Sequence, residues 1–599
     1  MMDFEPSTIF SLVDKGLRRN TSGVALSSKR NGKWTGTTIK DFNDRVTYCT
    51  LGLYETGIRK GDRIALHAPN STEWMVCDLA ILSLGAINVP IYTTQPAEQI
   101  TYILENSDAK VYIVSDDEMF QNVKPLIKTI EPLNAIVSIY GTSHRKLKTY
   151  DSILQKGRAK YESDPNLFDT LKSEVQPDDL ASIIYTSGTT GIPKGVMLTH
   201  NNIASNIQAS YEKAPFSPDK DQNLRILSFL PLSHIFERML DYMFMSMGYP
   251  VYYIASVDEI AEDIKTIKPH FFGTVPRLLE KLYAKFKAKS REASGIKKAI
   301  GIWGLNLADT YDVENKPSGL KAIKFKLANK FVYSKLREAL GGNLIGMISG
   351  GAALSVKMMN FYNGIGLYCG QGYGLTETSP VITASTPGDL RAGSVGTSLK
   401  NVKVKIADDE EILTKGPNVM KGYFKMPEET AEVFTDDGWF MTGDIGRLDE
   451  DGHLYITDRK KDLFKLSTGK YVAPQNIENR LIDSMLIEQA GVIGSSKPYC
   501  IALIVPSFEF IAKKVQNGGI TRDELNSNTE VRYLLQKEVD NVNRKLSKWE
   551  QIKKFIIINE PMTIESGELT PTMKLKRKIV FDKYQPQIEE TYGQEKKEA

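Results

Sequence analysis

Tyr185-Thr186-Ser187-Gly188-Thr189-Thr190-Gly191-Ile192-Pro193-Lys194-Gly195 follows directly on the apolar run Leu180-Ala181-Ser182-Ile183-Ile184. The run reads as a buried strand, and the eleven residues after it gather hydroxyls, three glycines and a lysine into one loop. Glycines let backbone N–H groups approach a ligand, hydroxyls donate to phosphate oxygens, and a lysine adds a mobile positive charge. Together they make a polyphosphate cradle. A polar surface loop would account for the residue types, but not for their density directly behind a buried-type strand. The common P-loop ends Gly-Lys-Ser/Thr, with the last hydroxyl on Mg²⁺. Here Lys194 stands between Pro193 and Gly195, so that hydroxyl is missing and a P-loop kinase or ATPase is excluded.

Working outward, strand-like and helix-like segments alternate. Arg63–His67 predicts a strand, Asn70 or Ser71 an N-cap for a helix ending near Gly85, and Ile87–Tyr92 another strand. A helix from about Ala97 and strands at 110–115, 226–230, 251–254, 271–275, 344–348 and 367–369 continue the pattern. Such alternation implies α/β layers with largely parallel sheets, whose ligands sit at the carboxyl ends of strands. From Val402 to about Asp458 short strands and turns predict a small β-rich layer. The expected architecture is therefore a large N-terminal domain of stacked α/β subdomains, 1–460, followed by a small, mobile α+β domain, 461–599.

Composition narrows the class. A chain of 599 residues exceeds one hydrophobic core, and 41% hydrophobic with 25% charged residues is ordinary for a globular protein. The balance of 76 basic against 73 acidic residues, +3, offers no whole-chain argument for nucleic acid. Four dispersed cysteines without CxxC spacing, and six scattered histidines without an HExxH pair, point to neither a disulfide framework nor a transition-metal site. Neither a signal peptide nor a transmembrane segment is expected, because the longest apolar runs are broken by Pro and Gly. A cytoplasmic location is expected.

Further clusters carry chemistry. Gly372-Tyr373-Gly374-Leu375-Thr376-Glu377 offers a ring for a purine and a hard-oxygen ligand suited to Mg²⁺ when phosphates fill the rest of its shell. Ser349-Gly350-Gly351-Ala352-Ala353 leaves room for a planar base. Gly438-Trp-Phe-Met-Thr-Gly-Asp444 and Asp458-Arg459-Lys460-Lys461-Asp462 add a carboxylate suited to ribose hydroxyls and an arginine. Leu569-Thr-Pro-Thr-Met-Lys574 presents a lysine near the C-terminus. Each alone has a bland reading as a turn, a cap or a solvated charge.

Cradle, Gly-Tyr-Gly-Leu-Thr-Glu, Gly-Trp-Phe-x-Thr-Gly-Asp, Asp-Arg-Lys-Lys-Asp and the terminal lysine occur in this order over residues 185–577. In this the chain resembles the adenylate-forming superfamily, and within it the long-chain fatty acyl-CoA synthetases. The resemblance spans nearly the whole chain, including Pro231-Leu-Ser-His234-Ile-Phe-Glu-Arg238. It implies that Thr186, Ser187, Gly188, Thr189, Thr190 and Lys194 hold the β/γ-phosphates of ATP, and that Gly351, Gln371, Gly372 and Tyr373 form the adenine pocket. It further implies Thr376 at the α-phosphate, Glu377 on Mg²⁺, Asp444 and Arg459 on the ribose, and an apolar face from Ile456. His234 would lie near the acyl carboxylate, and Lys574 would bridge that carboxylate and the α-phosphate. Lys461 matches the hinge and Gly469 the loop facing the thiol of coenzyme A. Ile235, Phe236 and Arg238 lie near the family's acyl entrance. Gln371 stands where many relatives have Glu, and Ala353 where many have Pro.

The implied reaction joins a long-chain fatty acid to coenzyme A through acyl-AMP. Two alternatives stand beside it: transfer of the acyl group to a carrier protein, and a non-catalytic nucleotide-binding protein on the same fold. A separate feature is residues 281–337, with 14 Lys/Arg against 4 Asp/Glu and interleaved apolar residues such as Trp303, Leu327 and Phe331. Two readings remain open: a packed helical hairpin, or a surface for peripheral contact with the inner face of an anionic membrane.

Overall fold

The structure is a computed structural model that describes residues 5–30, 32–127, 133–141, 147–187, 193–256, 259–460, 462–515, 519–563, 566–570 and 575–593. The chain forms two compact units. The first comprises Met1–Lys405, Leu413–Met441 and Asp449–Leu454, and the second Ile406–Ile412, Thr442–Leu448 and Tyr455–Ala599.

Two large sheets organise the first unit. One orders its eight strands Gly422–Tyr423, Pro193–Thr199, Leu180–Ser187, Ile87–Pro90, Arg63–His67, Ala109–Val114, Ala135–Ser138 and Lys148–Thr149. Its centre is parallel, with Leu66 opposite Pro90 and His67 opposite Val114. The other has nine strands. Ile226–Ser228, Phe271–Thr274, Gly346–Ser349 and Tyr368–Gly374 run parallel in it, and Val381–Ala384 pairs antiparallel beyond them.

Helix Thr72–Ser83 is apolar on nearly all sides and buried along its whole length, as such a helix must be. The Ser71 hydroxyl caps it by accepting from Trp74 N. Helix Ile235–Ser246 is likewise wholly buried. The two are joined by Arg238, whose guanidinium pairs with Asp78 and donates to Ser182 Oγ at 2.9 Å. Both members of the ion pair are fully enclosed, an arrangement whose rupture typically costs about 3–5 kcal/mol.

The cradle joins two strands of one hairpin: its flanks Leu180–Ser187 and Pro193–Thr199 are antiparallel neighbours. One local reading is corrected. The strand expected at 367–369 does not stop at Cys369 but runs from Tyr368 through Gly374, so Gly372 and Tyr373 are strand residues. The β-rich stretch appears as expected, as short strands between Lys403 and Arg459.

The basic segment is helical: Pro276–Glu292, Gly295–Ala308, Gly319–Ala328, a widened turn at Asn329–Tyr333, and Ser334–Ala339. Gly304, Leu305 and Ala308 on one helix and Ala328, Val332 and Tyr333 on the next are buried, and the Tyr333 hydroxyl donates to Gly304 O at 3.0 Å. A Cβ on Gly304 would meet Val332 at 2.7 Å, so the close approach requires glycine.

In the second unit a three-stranded sheet, Ile487–Ile493, Cys500–Pro506 and Ile552–Ile557, carries helices Pro474–Ile482 and Thr529–Asn543. Its middle strand is buried on both faces. Cys500, Ala502 and Ile504 enter one apolar cluster and Ile501, Leu503 and Val505 the other, the two-residue alternation of a strand. All four cysteines of the chain are buried and unpaired.

Candidate active site

The hairpin flanking the cradle sets Thr186 opposite Lys194 and Ser187 opposite Pro193. Gly188, Thr189 and Thr190 lie outside the described residues, as do Lys461 and Lys574. Lys194 is half-buried, and its ammonium stands 4.9 Å from the centroid of the Tyr423 ring. The Tyr423 hydroxyl donates to Glu377 Oε1 at 2.9 Å. Burial, reinforced by the Glu377 charge, pushes the Tyr423 phenol well above its ordinary pKa, so it remains a donor at neutral pH.

Backbone contacts fix this arrangement. Tyr423 sits opposite Val196 on the edge of the sheet, Phe424 N donates to Gly195 O at 2.7 Å, and Met420 N donates to Glu377 O at 2.8 Å. Thr430 Oγ1 accepts from Tyr423 N at 2.9 Å. Gly422 lies at φ +138°, and a Cβ there would meet Thr430 Cγ2 at 2.7 Å. Asn202 Nδ2 donates to Pro417 O and Val419 O, and Asn418 Nδ2 to Thr378 O. Residues 417–424 thus bind the exit strand of the cradle to the turn that carries Thr376 and Glu377. Sequence reading passed over them, because one Gly-aromatic step has no local signature of a site.

On the expected adenine side, strand register sets Ser349 opposite Gln371, which brings the Gly350-Gly351 turn beside Gly372. Gly351 is exposed at φ +77°, and a Cβ on Gly350 would strike the Phe236 ring at 2.8 Å. The Gln371 amide is enclosed and committed to the protein, accepting from Leu354 N at 2.5 Å and donating to Ser394 O at 3.3 Å. It braces strand Tyr368–Gly374 against the backbone of Leu354 and Ser394. Tyr373 is also buried, at 8% exposure.

His234 caps helix Ile235–Ser246, its Nδ1 accepting from Phe236 N at 3.1 Å. In the neutral ring the proton therefore resides on Nε2. Its ring centroid is 6.5 Å from that of Tyr92. Arg238 faces no opening: it is fully buried between Asp78, Tyr242 and Ser182.

A second group lies in the second unit. Asp444, almost enclosed, pairs with Arg459 Nε at 3.1 Å, while the Arg459 side chain is 42% exposed. Thr442 Oγ1 accepts from Asp444 N, and Gly443 N donates to Glu411, which Lys460 engages at 2.7 Å. Ile456 is half-buried on strand Leu454–Arg459. Gly469 turns between strands Phe464–Lys465 and Tyr471–Val472 at φ +85°.

Among the described residues no group of three or more His, Cys, Asp or Glu could hold a metal ion. Glu377 is a single half-buried carboxylate with one oxygen already anchored. That donor set suits Mg²⁺ arriving with phosphate ligands, which needs only one or two carboxylates from protein.

The sequence matches the family described as AMP-binding enzyme over residues 14–424, and AMP-binding enzyme C-terminal domain over 461–596. It is 35% identical to long-chain-fatty-acid–CoA ligase FadD15 of Mycobacterium bovis, across 99% of this chain and 98% of that one. Identity to long-chain-fatty-acid–CoA ligase 5 of Rattus norvegicus is 33%, across 98% and 89%. Among solved structures, the fold is similar to the adenylation domain of a carboxylate reductase from Mycobacterium chelonae, with TM-score 0.75, 24% identity, and 99% and 92% of the two chains covered. It is also similar to the anthranilate CoA ligase AuaEII in complex with anthranoyl-AMP, with TM-score 0.73, 19% identity, and 98% and 99% covered.

Proposed function

This chain belongs to the AMP-binding enzymes, and from that premise we propose how its residues divide the reaction. It is an ATP-dependent long-chain fatty acid–CoA ligase of the AMP-forming type, and the full-length likeness to ligases of that name is the observation that carries the assignment. In the first half-reaction a fatty carboxylate attacks the α-phosphorus of ATP in line, giving acyl-AMP and pyrophosphate. In the second, the thiol of coenzyme A displaces AMP.

Neither half needs a protein nucleophile, so the chain's task is positioning and charge neutralisation. Thr186, Ser187, Gly188, Thr189, Thr190 and Lys194 hold the departing pyrophosphate. Gly351, Gln371, Gly372 and Tyr373 shape the adenine pocket, and Asp444, Arg459 and Ile456 serve the ribose side. Thr376 contacts the α-phosphate and Glu377 takes the metal. Bound Mg²⁺ supplies charge neutralisation across the phosphates. His234, with its Nε2 proton, lies toward the acyl carboxylate, and Lys574 bridges that carboxylate and the α-phosphate. We place the domain boundary at 460/461, with Lys461 as hinge and Gly469 on the thiol side.

The experiment is product analysis with fatty acids of graded length, with and without free coenzyme A. Acyl-CoA and stoichiometric AMP, greatest with long-chain acids, are expected. Release of AMP that ignores free coenzyme A would favour transfer to a carrier protein and reject the assignment.

A second reading concerns location. Among the described residues no helix is long and apolar enough to cross a membrane. Yet Ile296 and Leu320 are 78% and 79% exposed, and Trp303, Ile323, Leu327 and Phe331 also face outward. Leu320, Ile323, Leu327 and Phe331 recur at helical spacing beside Lys321, Lys324, Lys326 and Lys330. An apolar stripe flanked by lysines suits the interface of an anionic bilayer. We therefore place the protein in the cytoplasm with peripheral membrane contact through 281–337.

A further inference from the structure

Three side chains from three separate stretches meet beside the cradle: Lys194, Tyr423 and Glu377. Tyr423 is the only member of the trio without a task in the reaction as divided above. Its placement is heavily specified. The backbone on both sides of it is bonded to the exit strand of the cradle, and Met420 and Asn418 on the same segment hold the main chain around Glu377. A glycine at φ +138° precedes it, and the Thr430 hydroxyl receives its amide.

A glutamate carboxylate on a 3₁₀ turn can swing about three side-chain torsions. With one oxygen fixed by a phenol donor, the other is left in a defined direction, which lowers the cost of ordering it around a cation. The same ring offers its face to an ammonium, at a distance within the range of cation–π attraction.

We propose that Tyr423 is a positioning residue: its hydroxyl orients Glu377 for the cation of a metal–ATP complex, while its ring steadies Lys194 for the phosphates. The inference rests on the assignment of Glu377 to the metal. Tyr423 joins the metal side of the site to the phosphate side through one rigid group. The hydroxyl and the ring carry separable parts of the task.

The test uses the full chain and Mn²⁺ as probe, read by electron paramagnetic resonance in the presence of a non-hydrolysable ATP analogue, with analogue affinity measured separately in EDTA. Tyr423→Phe keeps the ring and is expected to weaken Mn²⁺ about tenfold while leaving metal-free nucleotide affinity unchanged. Tyr423→Leu is expected to weaken both. Glu377→Gln separates this inference from its premise. If Glu377→Gln leaves Mn²⁺ affinity unchanged, the metal assignment of Glu377 fails. If Glu377→Gln weakens Mn²⁺ and Tyr423→Phe does not, the positioning role alone fails. In the double variant the Tyr423→Phe effect on Mn²⁺ should vanish; full additivity would overturn the proposal. So would tighter Mn²⁺ binding by Tyr423→Phe, since the hydroxyl would then be competing with the cation. Equal loss of nucleotide affinity with and without metal in Tyr423→Phe would reduce Tyr423 to a packing residue.

Discussion

Two anions must meet in the first half-reaction, the fatty carboxylate and the α-phosphate, and a cation between them stabilises the transition state more than either partner alone. We propose Lys574 for that role, from its place in the terminal motif. Removing one such charge partner costs about 3 kcal/mol or more, on the order of 10²-fold in rate. Lys574→Ala should abolish fatty-acid-dependent pyrophosphate exchange yet spare thioester formation from preformed acyl-AMP. Equal loss in both assays would refute the division of labour. At this scale the sequence was informative wherever a residue's chemistry is local: a dense hydroxyl–glycine loop, or a carboxylate after a Gly-Tyr-Gly step. It was silent on Tyr423, whose partners lie in stretches far from it in the chain. For Arg238 it suggested an entrance, and the structure shows a buried strut. An arginine beside a motif carries no mark of which way it points; only Asp78, Tyr242 and Ser182 around it decide that.

Among elements, the helices of the basic segment combine two surfaces that sequence could not apportion. Leu305, Val332 and Tyr333 turn inward, whereas Trp303, Leu327 and Phe331 turn outward, although all six belong to one continuous apolar-basic pattern. Period alone gives a face, and the identity of the packed face depends on which neighbour approaches. The outward face makes a measurable claim. Binding to vesicles containing anionic lipid should fall steeply between low and physiological salt, because screening shortens the reach of the lysines to about 8–10 Å. Replacing Leu320 and Phe331 together with serine should weaken binding at every salt concentration. Vesicle binding that ignores both salt and these substitutions, or no binding at all, would return the segment to a packed hairpin. The same contrast of legible and illegible runs through the sheets. Strand 63–67 and the Ser71 cap were readable from local pattern; the antiparallel partnership across the cradle was not, although its two strands are neighbours in the chain, because Pro193-Lys194-Gly195 carries no strand signal of its own.

For the whole molecule, two half-reactions share one set of nucleotide contacts, and the second must admit a thiol that the first must exclude. A hinge at Lys461 would let the small domain serve both, closing for adenylation and turning to present the Gly469 loop for thiolation. Lys461→Pro, which restricts φ at that position, should retain pyrophosphate exchange and impair overall acyl-CoA formation at least tenfold. Unchanged turnover would rule out the hinge. The two compact units are interleaved in sequence, since Ile406–Ile412 and Thr442–Leu448 join the second although they precede 460.

The burial of Cys49, Cys77, Cys369 and Cys500 has a practical outcome for such motion. Burial also pushes the Cys369 and Cys500 thiols up to about 12, which leaves almost no thiolate at neutral pH. A single cysteine introduced on the surface of each unit would then react selectively with a fluorophore or spin label in an otherwise native background. Distances between the two labels, recorded through a catalytic cycle, would test the proposed hinge directly, without first stripping the protein of its own sulfhydryls.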